Sequence, residues 1–263
     1  MGDWPVLSHT KFSNDDVSPG TYNTVINSPG SANVKGTYTQ LVAATPFDVG
    51  GLLIQAQIAT NTRQLADIAI GGAGSEVVAV PNVPFMNQGG SGVHSIMQKF
   101  IPLFVRKGER IAMRQQGFGA SPYLHVKLQM LQLGGFAGLQ PPQKWEDWGT
   151  VLATTDVTRP TGSATPNVKG SYSQLIAATG LTARWIILNL GLGTVDDIAM
   201  DIAVGGAGSE QVVIPSLYGT NEVIIPYLLL PWNVPKGTRV AARVAAAGGA
   251  SAMGIQILAG GGG

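Results

Sequence analysis

The sequence contains no cysteine, so disulfide bonds and thiolate metal ligands are excluded. Charged residues are also scarce, at 12% of the 263 residues, about half the usual share of roughly 25%. No run of basic residues indicates nucleic acid or an anionic membrane as a partner. A surface with so few charges resists association only weakly, so we expect partner proteins or further copies of this chain to cover part of it.

We also expect neither a secretory signal nor a membrane-spanning segment. The stretch MGDWPVLSHT at the start lacks the basic region and apolar run of a secretory signal. The longest apolar run, Val223–Trp232, is short and contains Pro226 and Pro231, so we expect no transmembrane helix. No stretch repeats apolar residues at helical spacing with capping residues, which favours an all-β chain.

The sequence also lacks the usual marks of an enzyme. Its three histidines show no metal-ligand spacing, and no Gly-x-Ser-x-Gly elbow is present. The phrase GGAGSE does not match a phosphate-binding loop, because no lysine follows it and no helix is predicted after it. We therefore expect no catalytic residues, no metal site, no cofactor and no enzymatic activity.

The most informative feature that is present is an internal duplication. DIAIGGAGSE at 67–76 returns at 201–210 with a single change, and NVKGTYTQLVAAT at 33–45 returns at 167–179 at the same offset. Later, RKGERIAMR aligns with PKGTRVAAR after a short deletion. The chain therefore divides into a first copy (1–136), a Pro-containing linker (137–146) and a second copy (147–263).

Each copy reads as a series of short strands separated by turn residues. The stretch YLHVKLQMLQL alternates apolar and polar residues, as expected of a strand with one buried face. Counting a further strand near Trp4–Leu7, each copy has about eight strands, which is the size of a sandwich. The sequence predicts two tandem jelly-roll-like antiparallel β-sandwich domains related by internal duplication.

The repeated phrase is then a tight turn between two strands, with glycines supplying positive φ angles. A glutamate closes the phrase in both copies, and each copy later repeats two arginines in KGxRxAxR. We expect glutamate–arginine pairs to brace the corners of the sandwiches. The residues of these structural corner pairs are Glu76, Arg110, Arg114, Glu210, Arg239 and Arg243.

Two alternatives stay open at this point. Asp67 precedes Glu76 by nine residues and can approach it across the turn, and two carboxylates are the minimum for glycoside hydrolysis. Trp185 and Trp232 replace Gly51 and Leu103 of the first copy. They can stack on sugar rings, or they can fill a core or an interface.

The motifs NVKGxYxQL, DIAxGGAGSE and KGxRxAxR resemble those of a group of tailed-bacteriophage virion proteins, alone or in tandem. The resemblance covers nearly all of both copies and implies a non-enzymatic structural protein of the virion, such as a capsid decoration, collar, tail or fibre component. We therefore expect a virion protein assembled in the bacterial host cytoplasm. The low charge favours self-association and contacts with capsid or tail proteins, and the lack of basic runs argues against nucleic acid or membrane partners. The alternative is a tandem carbohydrate-binding module for host glycans.

Overall fold

The computed structural model describes residues 11–12, 24–58, 63–85, 96–119, 122–132, 140–151, 156–193, 197–219 and 228–262. The chain forms two compact units, one of residues 1–145 with 153–155 and one of residues 146–152 with 156–263. The first unit thus contains the first copy, residues 137–145 of the predicted linker and residues 153–155. Each unit is described by itself below. The strand expected near Trp4–Leu7 lies outside the described residues.

The first unit contains nine described strands. They are β1 (Lys11–Phe12), β2 (Thr24–Asn27), β3 (Thr39–Val42), β4 (Val49–Ile58), β5 (Gln64–Ile70), β6 (Val77–Phe85), β7 (Ile96–Val105), β8 (Ile111–Gly117) and β9 (Tyr123–Gln132). One sheet has the order β1-β9-β4-β7, with β2 also paired to β9, and the other has the order β3-β8-β5-β6.

The second unit repeats this plan. Its strands are β10 (Lys144–Trp148), β11 (Thr150–Val151), β12 (Asp156–Val157), β13 (Ser173–Ile176), β14 (Thr182–Gly193), β15 (Ile198–Val204), β16 (Gln211–Gly219), β17 (Leu228–Val234), β18 (Val240–Ala246) and β19 (Met253–Gly262). Its sheets have the orders β10-β19-β14-β17 and β13-β18-β15-β16, and β11 pairs with β12 as a small ribbon.

From β2 to β9 and from β13 to β19, successive strands alternate between the two sheets of a unit, except that β5 with β6 and β15 with β16 form hairpins within one sheet. The pairings are antiparallel. This order is that of a jelly roll, in which two Greek keys close into a double sheet. The described residues contain strands and turns but no helix. The predicted fold, two tandem antiparallel β-sandwiches, is therefore confirmed.

The core of each unit lies between its two sheets. In β9 the predicted alternation appears directly, because Leu124, Val126, Leu128 and Met130 are buried while the residues between them are partly exposed. In the second unit Trp148 is fully buried among aliphatic side chains of both sheets. Burial of these apolar side chains is what holds the two sheets of each sandwich together.

The repeated glycine phrase forms the turn between β5 and β6, and again between β15 and β16. Gly71 and Gly74 have φ of 118° and 82°, and their counterparts Gly205 and Gly208 have φ of 112° and 83°. Such angles strain any residue with a side chain, which explains why both copies keep glycine here. The two returning strands start at Val77 and Gln211.

The segment expected to act as a linker is in part built into the fold. The Pro142 carbonyl accepts a hydrogen bond from the Phe104 amide at 2.8 Å, and Trp145 Nε1 donates to the Pro102 carbonyl at 2.8 Å. Trp145, which belongs to the first unit, is almost completely buried. Residues 142–145 are therefore held against β7 by backbone and indole hydrogen bonds.

Candidate functional site

A brace of ionic and polar side chains closes the turn after β5. Arg110 Nη1 donates to Glu76 Oε1 at 2.8 Å and to the Gly71 carbonyl at 3.3 Å, while its Nε donates to Gln40 Oε1 at 3.0 Å. The second carboxylate oxygen of Glu76 accepts the Gly74 amide at 2.8 Å. One guanidinium thus joins strand β3, the turn and the first residue before β6.

The second copy builds the same brace with the same atoms. Arg239 binds Glu210, the Gly205 carbonyl and Gln174 at 2.9, 3.1 and 3.1 Å. The pKa of Glu76 and that of Glu210 are both lowered, first because each carboxylate accepts its own backbone N–H and then because of the arginine and glycine donors. Of the two repeated arginines in each copy, Arg110 and Arg239 are the partners of the glutamates.

Arg114 pairs with Asp67 instead of Glu76. The two residues lie directly opposite each other in the register of β5 and β8, and Arg114 Nε donates to Asp67 Oδ2 at 2.9 Å. Lys35 Nζ donates to the other oxygen of Asp67 at 2.8 Å. Arg110, in contrast, lies just before β8, next to the turn, and this difference in register decides which carboxylate each arginine meets.

Tyr38 completes this cluster, because the Arg114 guanidinium lies over its ring at 4.6 Å from the centroid. Burial raises the pKa of the Tyr38 hydroxyl. The second copy repeats the cluster with Lys169, Asp201, Arg243 and Tyr172 at nearly the same distances. Burial opposes ionisation of Asp201, but hydrogen bonds from Lys169, the Ser216 amide and Arg243 outweigh it and lower the pKa of that carboxyl.

The two clusters differ at one position of the strand that follows the turn. Opposite Asp67, strand β6 has an irregular register and Asn82 takes a positive φ of 51°; opposite Asp201, Ser216 takes a φ of 48°. Each of these backbone amides donates to the aspartate. In the first copy only, the side chain joins in as well, because Lys35 Nζ donates to Asn82 Oδ1 at 2.6 Å.

The aspartate and glutamate of each copy therefore have separate sets of partners. This concerns the alternative in which Asp67 and Glu76 act together as the two carboxylates of glycoside hydrolysis. Glu76 is held by Arg110 and the turn, and Asp67 by Lys35 and Arg114. Across the described ranges, no group of three His, Cys, Asp or Glu side chains is placed to hold a metal ion. The same ranges contain no helix of the length and apolarity needed to cross a membrane.

The two tryptophans singled out in the second copy lie on different faces of their sheet. Trp232 packs against the core and meets Trp148 edge-to-face, with ring centroids 6.5 Å apart. Trp185 alternates with the core-facing Ile186, so it lies on the outer face. In the first copy the ring of Phe100 covers the equivalent Gly51, where an added Cβ would come within 2.5 Å of it. An aromatic ring therefore lies on this outer face in both copies. It comes from Phe100 of β7 in the first copy and from Trp185 of β14 in the second.

A polar cleft of about 510 Å³ opens beside β13. It is lined by hydroxyl side chains, one lysine and two glycines, namely Thr161, Ser163, Ser171, Ser173, Lys169, Gly162 and Gly170. Gly170 is required by packing, since a Cβ there would lie 2.0 Å from the Thr161 carbonyl oxygen. The lining offers hydrogen-bond donors and acceptors with no aromatic platform.

Strand β16 exposes apolar side chains that its counterpart β6 buries. Both are edge strands of their sheets. Val212, Val213 and Tyr218 are 40%, 39% and 56% exposed, whereas their counterparts in β6 are the half-buried Val78 and the buried Ala79 and Pro84. We call these three side chains the β16 surface. Pro215 and the irregular register at Ser216 interrupt the free backbone edge of the strand, so the side chains rather than the backbone are available for contact.

Sequence reasoning missed one buried charge in the first copy. Lys99, on β7 opposite Ile54, is only 2% exposed, and its Nζ lies 5.9 Å from the centroid of the Phe85 ring. Burial lowers the pKa of Lys99 to about 7. Comparison of the two copies could have predicted that Lys99 is buried, because its counterpart is the aliphatic Leu228. Leu228 lies opposite Leu188 in the same register.

No protein-family model matches the chain, and no curated protein matches it either. Among solved structures, it is similar to the STIV MCP, a viral major capsid protein, with 8% identity, a TM-score of 0.35, and coverage of 90% of this chain and 96% of that one. It is also similar to the CBM22-1-CBM22-2 tandem domain of Paenibacillus barcinonensis Xyn10C, with 10% identity, a TM-score of 0.23, and coverage of 90% and 91%.

Proposed function

We propose that this chain is a non-enzymatic structural protein of a tailed-bacteriophage virion, assembled in the bacterial host cytoplasm through contacts with capsid or tail proteins and with copies of itself. The observation that carries the proposal is the use of the repeated charged residues. Glu76, Arg110, Asp67 and Arg114, with their counterparts in the second copy, join strands and turns within one sheet. Charged groups held in this way stabilise the sheets that contain them. Both copies have these ionic contacts in common.

The surface chemistry supports assembly rather than catalysis. The β16 surface presents valine and tyrosine side chains, and tyrosine is among the residues enriched at protein interfaces. The chain as a whole has few charges to oppose association. A duplicated jelly roll also offers two similar domains to similar sites on a symmetric particle.

Quantitative mass spectrometry of purified particles of the phage that encodes the chain tests this proposal. We expect the chain at a fixed number of copies per particle, retained through density-gradient purification. If the chain is abundant in the lysate but absent from purified particles, the proposal fails.

Two variants distinguish specific assembly into the particle from nonspecific trapping of the chain in particles. We expect Val212→Asp, on the β16 surface, to lower incorporation of the chain into particles without lowering its melting temperature. The matched control is Val77→Asp, on the equivalent edge strand of the first copy, where the exposed position is occupied by the polar Gln211 in the second copy. Equal incorporation of both variants would remove the β16 surface from the proposal.

Glycan binding is the second candidate, and the hydroxyl-lined cleft beside β13 favours it. Hydroxyl groups that both donate and accept hydrogen bonds suit the hydroxyl groups of a sugar. A glycan array probed with the whole chain tests this function, with Ser171→Ala and Trp185→Ala as variants. A reproducible signal lost in Ser171→Ala supports the cleft, a signal lost only in Trp185→Ala moves the site to the outer face of β14, and no signal rejects the candidate.

A further inference from the structure

We propose that the first domain forms an intramolecular isopeptide bond between the Lys35 amine and the Asn82 side-chain carbonyl carbon, with Asp67 as the proton-transfer group. The inference starts from three side chains that meet in this domain. Lys35 Nζ lies 2.6 Å from Asn82 Oδ1 and 2.8 Å from Asp67 Oδ1. An amine, a carboxamide and a carboxylate are the groups that amide exchange requires.

The positions of these groups suit nucleophilic attack. Lys35 Nζ lies 2.6 Å from Asn82 Oδ1, and the carbonyl carbon is one bond beyond that oxygen. Attack therefore requires only that Nζ shift from the oxygen towards the carbon, to the separation of roughly 3–3.5 Å that defines a near-attack arrangement. Asn82 is 7% exposed, and the side chains of Asp67 and Lys35 are 5% and 18% exposed. The surroundings therefore keep most water away from the reacting atoms.

The backbone holds the asparagine in place. Asn82 has a positive φ, a conformation that asparagine tolerates better than most residues, and its own amide donates to Asp67 Oδ1 at 3.0 Å. Arg114 binds the other oxygen of Asp67 and so fixes the plane of the carboxylate.

The reaction balances without any further reactant. The Lys35 ammonium gives one proton to the Asp67 carboxylate, and the free amine attacks the Asn82 side-chain carbonyl carbon. A C–N bond forms to Lys35, and the C–N bond to Asn82 Nδ2 breaks. The second proton lost by the amine goes to the leaving nitrogen, and ammonia departs as ammonium with the proton held by Asp67. The product is an amide between the two side chains.

The placement of the bond explains what it would do. Lys35 precedes β3 and Asn82 lies in β6, and these are the two edge strands of the sheet β3-β8-β5-β6. One covalent bond would fasten both edges of that sheet. The second domain is a natural control, because Ser216 stands where Asn82 does and Lys169 donates to the Ala199 carbonyl instead of a carboxamide.

Intact-mass spectrometry of the full chain tests the bond. We expect the purified protein to be lighter than its sequence by one ammonia. After denaturation and trypsin digestion, we expect cleavage after Lys169 but not after Lys35, and a branched peptide that contains Lys35 and Asn82. A full sequence mass together with cleavage after Lys35 overturns the proposal.

Three variants exclude other sources of the same mass change. Asn82→Ser, which copies the second domain, should have full mass, and Lys35→Arg should also have full mass because a guanidinium is not a nucleophile here. Asn82→Asp should still form the bond, now with loss of water, and give the same linked mass as the wild type. A deficit that survives Lys35→Arg would mark a cyclised asparagine instead, and it would overturn the proposal.

Discussion

Replacing the buried Lys99 should change how the stability of the first domain depends on pH. Lys99 is 2% exposed and packs near the Phe85 ring, and burial lowers its pKa from 10.5 to about 7. Between these values the unfolded chain binds one more proton than the folded chain, so the free energy of unfolding rises as pH increases. It rises by about 1.4 kcal/mol per pH unit, or about 5 kcal/mol in all, and this stability is missing at pH 7 and below.

The variant Lys99→Leu removes this dependence, and the fold accepts leucine because the second domain has Leu228 at the same register position. We expect the variant to be more stable at pH 7 and the two proteins to converge towards pH 10. Urea unfolding at several pH values, fitted with one transition per domain, measures the difference between variant and wild type.

The matched control is Lys107→Leu, at an exposed lysine whose backbone rather than side chain binds Asp48. It should follow the wild-type pH profile. If the wild type and Lys99→Leu show parallel profiles from pH 7 to pH 10, Lys99 does not titrate in this range and the reasoning is refuted.

Three further substitutions test the packing and the ionic clusters. Asp201→Asn should destabilise the second domain by about 2 kcal/mol at neutral pH, because it leaves Lys169 and Arg243 without their carboxylate. The difference from wild type in urea unfolding should shrink as the pH falls through the lowered pKa of Asp201. A difference that stays constant with pH would contradict this prediction. Gly170→Ala should lower the melting temperature, because the added methyl group would collide with the Thr161 carbonyl oxygen. The control is Gly208→Ala, where the methyl group meets no atom and only the φ of 83° causes strain. Equal losses of melting temperature in the two variants would argue against the steric reason. Trp232→Ala should lower the free energy of unfolding of the second domain by about 3 kcal/mol, because it empties the space beside Trp148. A free energy within about 0.5 kcal/mol of the wild-type value would mean that the ring contributes little to the core.

The repeat itself allowed much of the fold to be predicted. The alternation in β9 and the glycines at the turn after β5 are local features, and each has one physical solution for its backbone. The same reasoning identified glutamate and arginine as partners at the corner but left open which arginine was used. Register decides that question, because Arg114 lies opposite Asp67 while Arg110 lies beside the turn.

Sequence by itself thus determined the all-β class, the duplication and the turn in DIAxGGAGSE, because these depend on periodicity and on backbone angles that few residues adopt. Only the tertiary structure could bring Lys35, Asp67 and Asn82 together, since they come from three segments far apart in the chain. It also showed that two strands aligned in sequence, β6 and β16, differ in burial. Contacts of this kind depend on how sheets pair and pack, and no local pattern encodes them.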